Sequence, residues 1–508
     1  MKKTNRYLTI LLTLALFSSC DKGFDEMNIS PIALTNVDAT FQLNNAIVSS
    51  AQAYGNLSYE VTIVKQMITP FSGQGSAANF NQDNRSVSAG NWTRYYRNVI
   101  RELVDVIRKT KDDPNTTNLY NTARIWKAYA FMLLTDTYGD VPYLQAGLGY
   151  LEGTSKPAYD SQESIYTDIL KELETASAAL DASKPRVTRE VLYGGDIVKW
   201  KRLGNSLLLR AAMRLSKVKP AIAASSVAKA VTGGLMQSND DNAVIRHTPN
   251  FANDIGNQLN GGQSAFFYLA EDFVNHLKTT SDPRLASIAV RYVGAVSGTN
   301  QTEARANRTP AVQIGMPLGY DNTTIAGQVT ARGLASLWDF SQLDRTRMAT
   351  SQSPGFVVTY AQTQLYLAEA VVRGWTTGVA SALYANGIRM HMRQLAGYGA
   401  STAISDPTVE AYITLQPLDM TRALEQINTQ YWIASFLNGS EAFANFRRSG
   451  FPVLTPNLFP GKDLKTEPFI RRLTYPDAEL NVNNENVQQS IKRQGPDIMD
   501  TRVWWDVK

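Results

Sequence analysis

The sequence contains little of the side-chain chemistry that holds metals or disulfides. Among its 508 residues there is one cysteine, and there are three histidines, His247, His276 and His391. A single thiol excludes a disulfide framework, and three scattered histidines exclude a zinc ribbon or a Cys/His cluster. The formal net charge of +5 is too small for a nucleic-acid-binding surface. We therefore expect no cofactor, no metal site and no nucleic-acid partner.

The first twenty residues have the organisation of a secretory signal peptide. Two lysines and an arginine precede an apolar stretch from Leu8 to Phe17, and two serines lead to Cys20. The stretch is too short to span a membrane, so residues 1–19 are predicted to be removed on export. The segment also resembles a bacterial lipobox, which implies that Cys20 becomes a lipidated N-terminus carrying acyl chains such as palmitate. The alternative, an incidental cysteine, would leave an exposed thiol open to oxidation.

After the signal peptide, no window of the sequence approaches 18 consecutive apolar residues. The remainder is therefore expected to lie in water beside the membrane, behind a lipidated tether over residues 20–40. The tether carries an acidic cluster, Asp21, Asp25 and Glu26, that resembles the export signal of surface-exposed lipoproteins in Bacteroidetes. We expect a protein that is anchored in the outer membrane by its lipid and faces the cell surface.

Helical periodicity dominates the sequence beyond the tether. From Trp92 to Ile107, apolar residues recur at spacings of three and four, which predicts a long amphipathic helix. Ser161 is a predicted helix N-cap, and Gly139 followed by Pro142 predicts a helix end. Further helices are predicted over 123–134, 165–180, 200–215, 360–372 and 423–437. The chain is therefore expected to be mainly α.

The helical period is lost between about 235 and 354, where Gly, Asn, Thr, Ser and Gln become frequent. Such composition predicts irregular structure with a few short strands, and recognition residues are often found in loops held by a rigid scaffold. No linker divides the chain, so we predict one domain over 41–508. It would comprise a helical scaffold over about 41–234 and 355–437, a loop-rich insert over about 235–354, and an irregular C-terminal region over about 438–508.

Several motifs occur in an order typical of one protein family. They are ARIWKA at 123–128, DTYGDVPY at 136–143, YDSQESIY at 159–166, DPRL at 282–285, FRRSGFP at 446–452 and RRLTYP at 471–476. Each motif alone is weak, but their order, together with the lipobox, is specific. The chain resembles, over nearly its whole length, the SusD/RagB family of outer-membrane lipoproteins, and within it the nutrient-binding SusD-like branch.

This resemblance implies a mainly α fold in which TPR-like helical pairs form a compact superhelical scaffold, with a loop-rich ligand-binding region and few short strands. It also implies a SusC-like TonB-dependent transporter as partner, on which the lipoprotein sits as a lid over an outer-membrane barrel. The expected function is non-catalytic capture of glycan oligomers and their delivery to that transporter. Oligopeptides are the alternative ligand, because the same loops could bind backbone amides, and a surface glycoside hydrolase is a further alternative.

Few residues offer other chemistry. Glu271 and Asp272 are adjacent carboxylates, but a glycosidase needs two carboxyl groups positioned across a cleft. The Asp-Asp-Asn run at 240–242 offers hard oxygens for calcium but has no EF-hand pattern, so a structural calcium ion is unsupported. Arg447 and Arg448 could clamp an anionic ligand; the alternative is a buried ion pair or a cap on main-chain carbonyls.

The ligand site is predicted in the loops around 69–92 and 250–350, where aromatic and amide residues accompany glycine. Aromatic rings there are candidate stacking faces, and amide or carboxylate groups are candidate hydrogen-bond partners. The stacking candidates are Phe71, Phe80, Trp92, Trp338 and Phe340, and the hydrogen-bonding candidates are Asn79, Asn81, Gln263 and Asp339. Because Trp92 also lies on the apolar face of its helix, core packing is the alternative for it.

Overall fold

Pairs of neighbouring helices form the scaffold of the protein. Ile197–Arg214 packs along Pro220–Gly233, and Tyr360–Val372 packs along Ala380–Gln394. The sequences of these helices place apolar residues at helical spacing, so the faces that meet in each pair are apolar and buried. The prediction of a mainly α fold built from TPR-like helical pairs is confirmed.

The computed structural model describes residues 37–71 and 77–508. The predicted signal peptide, Cys20 and nearly all of the predicted tether lie outside this part of the chain. The described residues from Ala39 to Lys508 belong to one compact unit. Within the described ranges, no helix is both long and apolar enough to cross a membrane.

The helices vary from single turns to six turns. The longer ones are Ala39–Ser49, Arg85–Arg94, Arg101–Thr110, Thr117–Tyr138, Gln162–Ala179, Ile197–Arg214, Pro220–Gly233, Glu271–Thr279, Tyr360–Val372, Ala380–Gln394, Asp406–Leu415, Ala423–Ala434, Gly439–Ser449 and Asn484–Gln494. The shorter ones are Gly55–Ser58, Glu60–Ile63, Gly149–Glu152, Asp254–Asn260, Arg284–Ile288, Ala326–Ala331, Arg345–Met348 and Asp477–Val482.

Local capping chemistry explains where several helices begin and end. The Ser161 hydroxyl accepts a hydrogen bond from the Ser164 N–H at 3.2 Å, which confirms the predicted N-cap. The Asp196 carboxylate caps the helix that follows it by accepting from the Val198 N–H at 3.0 Å. Gly139 ends the preceding helix at φ +84°, a conformation that other residues adopt only with strain.

The predicted helix from Trp92 to Ile107 is confirmed and is longer than its apolar period. It continues from Arg85–Arg94 through a π-helical stretch, Tyr95–Ile100, into Arg101–Thr110. The Asn84 side chain caps its start. The helix therefore begins inside the 69–92 segment, where the sequence predicts a loop.

The strands are short and form four small sheets. Their bounds are Met67–Ile68, Val141–Pro142, Tyr159–Asp160, Ala243–Ile245, Tyr268–Leu269, Ala289–Tyr292, Ala306–Asn307, Gln342–Leu343 and Gly355–Val358. All of the pairings between them are antiparallel. Two of the pairings, Met67–Ile68 with Tyr268–Leu269 and Ala243–Ile245 with Gly355–Val358, connect the loop-rich stretch to the scaffold.

Helices also occur where the sequence lacks a sustained helical period. Asp254–Asn260 lies within the loop-rich stretch, where the Asn253 side chain caps it by accepting from the Gly256 N–H at 3.0 Å. Gly439–Ser449 begins directly after Asn438, at a position that the sequence predicted as a helix end. These helices depend on caps and tertiary packing more than on periodicity.

Two apolar cores matter for the position of the candidate site. The large core fills the helical scaffold. A smaller second core is built from residues of the loop-rich stretch together with Ile68, and includes Tyr268, Met316 and Phe340. The second core gives the loops of this region a rigid base.

Candidate ligand-binding surface

Two phenylalanine rings meet beside a two-stranded sheet. The strand that ends at Ile68 pairs antiparallel with the strand that begins at Tyr268, and these two residues lie opposite each other. Phe71 follows the first strand and Phe266 precedes the second, so the pairing brings their rings together at a centroid distance of 4.7 Å. Phe266 is 37% exposed and Phe71 is half-buried.

Trp338 approaches the same turn. Ala265 and Trp338 both lie against Gly298, where an added Cβ would come within 2.8 Å of the Ala265 Cβ and 3.5 Å of the Trp338 Nε1. The Trp338 ring is half-buried and packs on the second core, as Phe71 does. The tryptophan is thereby placed next to the turn that presents Phe266.

Buried Asn79 fastens a further loop to this region. Its Nδ2 donates to the Thr69 carbonyl at 2.8 Å and to the Tyr320 carbonyl at 3.1 Å, and its Oδ1 accepts from the Gly319 N–H at 3.0 Å. The side chain is fully buried, so these bonds fix the Tyr320 loop beside the segment that leads to Phe71. We call Phe71, Phe266, Tyr320 and Trp338 the aromatic surface.

Gln263 supplies an amide beside the aromatic surface. The Tyr54 hydroxyl donates to the Gln263 Oε1 at 3.1 Å. Burial, with a smaller contribution from the charge of Asp254, raises the pKa of Tyr54, so the phenol keeps its proton and remains a donor. Because Oε1 is engaged, the amide N–H₂ of Gln263 is the group left to donate to a ligand.

The basic side chain near Tyr320 of the aromatic surface is paired with a carboxylate. Arg332 forms an ion pair with Glu271 at 2.6 Å and donates to the Gln328 side chain at 2.5 Å. Gln328 in turn donates to the Tyr320 hydroxyl at 2.8 Å. The surface therefore offers flat apolar rings and neutral polar groups, an arrangement that suits an uncharged ligand with an apolar face and hydroxyl groups.

Three of the predicted stacking rings are buried in packing, which corrects the expectation that they are open faces. Phe340 has no exposed surface and belongs to the second core, and the Phe80 ring is 5% exposed, with its centroid 4.5 Å from that of Phe459. Trp92 is 6% exposed because it packs among four tyrosines, Tyr96, Tyr138, Tyr159 and Tyr475. The core-packing alternative for Trp92 agrees with this environment.

The predicted hydrogen-bonding residues divide in the same way. Asp339 is buried in an ion pair with Arg291 at 3.0 Å, and Asn79 is buried in the loop network described above. Asn81 is also buried, and its φ of +50° places it in the left-handed region. Of the nine predicted residues, Phe71, Gln263 and Trp338 lie at the same partly exposed surface. The six others are buried, where they pack in the interior or form internal hydrogen bonds and ion pairs.

Sequence reasoning missed Phe266, Tyr320 and Tyr54. The signal that could have found Phe266 was its position directly before the short apolar run that forms a strand. The pairing of that strand with Ile68 has no local signature, so the contact with Phe71 could not be read from the sequence.

The other candidate chemistries have ordinary structural partners. Arg447 donates to main-chain carbonyls and Arg448 pairs with a buried carboxylate, as the alternative to an anion clamp predicted. Asp241 of the 240–242 run is ion-paired with Arg202 at 3.2 Å. Over residues 37–71 and 77–508, no group of three or more His, Cys, Asp or Glu side chains could hold a metal ion.

Comparison with known families identifies the class of protein. A family model for SusD-like proteins, described as starch-binding and associating with the outer membrane, matches residues 31–476. The chain therefore belongs to the SusD-like family, and the family predicted from the sequence motifs is confirmed. No curated protein matches the chain.

Solved structures of similar proteins extend over almost the whole fold. A chitin-binding protein is 28% identical with a TM-score of 0.82, and the match covers 93% of this chain and 100% of that one. A SusD-like protein of Bacteroidetes is 27% identical with a TM-score of 0.81 over 93% and 100% of the two chains. A chitin-binding SusD homolog from Flavobacterium johnsoniae is 26% identical with a TM-score of 0.76 over 92% and 98%.

Proposed function

We propose that this protein is a non-catalytic, cell-surface lipoprotein that binds glycan oligomers and delivers them to a transporter. The observation that carries the proposal is the pairing of Phe71 and Phe266 beside the amide of Gln263. Stacked aromatic rings can take the apolar face of a sugar ring, and a neighbouring amide can hydrogen-bond its hydroxyls.

The relatives favour glycans over oligopeptides as the ligand class. The family description names starch, and two of the similar structures are of chitin-binding proteins. These ligands differ in linkage and substituents but share pyranose rings. The aromatic surface suits that shared feature, because ring stacking does not require a particular linkage.

The partner and the anchor follow from family membership and from the N-terminal motif. The SusD-like family is described as associating with the outer membrane, and lipidated Cys20 would supply the attachment. A SusC-like TonB-dependent transporter is the proposed recipient of the bound oligomer. Co-purification of a SusC-like transporter with the full-length lipoprotein from the membranes of its native cells would support this step, and the absence of such a transporter from the complex would contradict it.

The adjacent carboxylates of Glu271 and Asp272, near the aromatic surface, favour binding without hydrolysis. Glu271 is paired with Arg332 at 2.6 Å and Asp272 with Lys65 at 2.7 Å. A glycosidase needs one carboxylic acid and one free carboxylate on opposite sides of the scissile bond. Two adjacent carboxylates that are both held by cations do not provide this arrangement.

Calorimetry with the mature chain tests the proposal. The panel comprises malto-, chito-, cello- and xylo-oligosaccharides and a mixture of oligopeptides. We expect binding of at least one glycan without turnover, and a loss of about two- to tenfold in affinity for Phe71→Ala and for Phe266→Ala, since one ring contact is worth ~0.5–1.5 kcal/mol. Tyr150→Ala, which removes a fully exposed ring elsewhere, is the matched control.

The possible results separate the hypotheses. Binding of peptides alone would favour the alternative ligand class. Glycan hydrolysis that is lost on substitution of one carboxylate would make the protein an enzyme. Glycan binding that both phenylalanine variants leave unchanged would place the site away from the aromatic surface.

A further inference from the structure

A small cavity lies beside the helical scaffold, outside the aromatic surface. It has a volume of about 30 Å³ and lies where strand Gly355–Val358 meets the segments around Gln52 and Leu437. Its aromatic lining comes from His247, Phe356, Tyr398 and Phe436. The candidate site described above uses none of these residues.

Two hydrogen-bond acceptors of the lining lack partners. The His247 Nδ1 lies 3.3 Å from the Phe251 carbonyl, which can only accept, so Nδ1 carries the proton. Burial lowers the pKa of His247, which keeps the ring neutral, and Nε2 is then a bare acceptor. Within the described residues, the Oε1 of Gln52 is buried without a hydrogen-bond partner. This buried Gln52 acceptor is costly unless something donates to it.

The residues that line the cavity also determine which charge a bound group can carry. Among the residues that the structure describes, the lining includes no Lys, Arg, Asp or Glu side chain. An anion would meet acceptors and ring faces without a compensating cation, and a cation would lose its water without a carboxylate partner. The group that fits is uncharged, has an O–H or N–H donor, and carries some apolar surface.

The size of the cavity limits the group further. A buried water needs roughly 10–15 Å³ of this space, so about 30 Å³ holds roughly two waters. A whole pyranose ring does not fit. A single substituent of a few heavy atoms does.

Tyr54 connects the cavity to the aromatic surface. It lies two residues after Gln52, and its N–H donates to Asp254, the neighbour of the lining residue Asn253, at 2.8 Å. Its hydroxyl donates to Gln263, which lies at the start of the turn that presents Phe266. Tyr54 therefore lies between a segment that lines the cavity and the turn that presents Phe266, and this is the route along which a bound oligomer would extend.

We propose that this cavity is a subsite for one small, uncharged, donor-bearing substituent of a glycan bound on the aromatic surface. The hydroxymethyl group of a hexose, which has two heavy atoms and one O–H donor, has this size and chemistry. The inference rests on the proposed glycan-binding function. It adds a specificity determinant, because a chain without such substituents cannot satisfy the His247 and Gln52 acceptors.

Three β-1,4-linked hexasaccharides test the subsite, since they differ in their substituents. Xylohexaose lacks the hydroxymethyl group, cellohexaose has it, and chitohexaose has it together with an acetamido group. We expect the wild-type mature chain to bind cellohexaose at least about fivefold more tightly than xylohexaose, the value of one hydrogen bond of ~1 kcal/mol. A higher affinity for cellohexaose than for xylohexaose identifies the hydroxymethyl group, whereas a preference that appears only with chitohexaose would contradict this assignment.

Two variants assign the preference to the cavity. An added Cβ at Gly355 would lie 3.6 Å from the His247 Nε2, an ordinary contact, so Gly355→Ala narrows the cavity without strain. Gln52→Leu removes the other acceptor. Both variants are expected to abolish the preference and leave xylohexaose binding unchanged, whereas Phe266→Ala should weaken all three ligands. Gly90→Ala, whose added Cβ meets nothing within 4 Å, is the control.

The outcomes distinguish the subsite from the function on which it rests. Equal affinity for the three hexasaccharides, or a preference that persists in both folded variants, overturns the subsite. If none of the three binds but maltohexaose binds in a Phe266-dependent manner, the subsite is overturned and the glycan-binding function stands. If no glycan binds at all, the subsite and the proposed glycan-binding function are both overturned.

Discussion

Arg448 and Glu369 form a fully buried, bidentate ion pair that joins two helices of the scaffold. The Nη1–Oε1 and Nη2–Oε2 distances are both 2.7 Å. Neighbouring Arg447 donates instead to the main-chain carbonyls of Arg471 and Asp136, at 2.7 and 2.6 Å. The two consecutive arginines therefore connect helix Gly439–Ser449 to three other parts of the chain, and neither guanidinium is available to a ligand.

This pairing predicts a large loss of stability when one partner is removed. Arg448→Met leaves the Glu369 carboxylate buried with only Arg373 as a cation nearby, and breaking a buried pair in this way costs about 3–5 kcal/mol. Urea denaturation followed by circular dichroism measures the change in the free energy of unfolding. Arg422→Met, which breaks an exposed pair with Glu425, is the control and should have little effect. A small change for Arg448→Met would mean that the site relaxes around the missing charge.

The same pair predicts a dependence on acid. Burial alone would raise the pKa of Glu369, but the charges of Arg448 and Arg373 outweigh it and lower that pKa to about 2. Because the folded-state pKa lies below the unfolded value, the carboxylate stabilises the fold above about pH 4.5, and this contribution is lost as the pH falls towards 2.

The measurement compares the wild type with Glu369→Gln, since other buried carboxyls titrate in both proteins. The difference in unfolding free energy between the two should be largest near neutral pH and should shrink between about pH 4.5 and pH 2. A difference that is constant over this range would show that Glu369 is not the group responsible.

Substitutions of two tryptophans should distinguish a residue that stabilises the fold from a residue that binds the ligand. Trp92→Ala should lower the free energy of unfolding by about 3–5 kcal/mol, because it empties a site enclosed by tyrosines. Trp92→Phe should recover part of this loss. Trp338→Ala should destabilise the protein less, because its ring is half-exposed, and should weaken glycan binding by about two- to tenfold. Weaker glycan binding by a stably folded Trp92→Phe variant would contradict the division.

The features that could be predicted from the sequence are those with local signatures. Ser161 and Gly139 mark a helix start and a helix end through their own capping chemistry, and apolar spacing places the helix around Trp92. The meeting of Phe71 and Phe266 depends on a two-residue strand pairing between distant segments, which no local pattern encodes. For Trp92, helix periodicity predicts a buried ring, whereas proximity to a polar loop predicts an exposed ring that can bind a ligand. The ring is buried among tyrosines, so periodicity is the better guide at this position.

The membrane anchor leads to the last prediction. Cys20 lies outside the described residues, and the described residues contain no helix that could cross a membrane. If acyl chains on Cys20 provide the attachment, each buried CH₂ contributes ~0.8 kcal/mol, and removing the thiol removes the attachment. In cells that express no SusC-like transporter, Cys20→Ser should then be recovered as a folded protein that is released from the membrane fraction. Labelled palmitate should be incorporated into the wild type and not into the variant.

Because the substitution leaves residues 37–508 unchanged, glycan affinity should be the same for both forms. This control separates membrane anchoring from ligand binding. A variant that stays in the membrane fraction after a high-salt wash would mean that another part of the chain holds the bilayer.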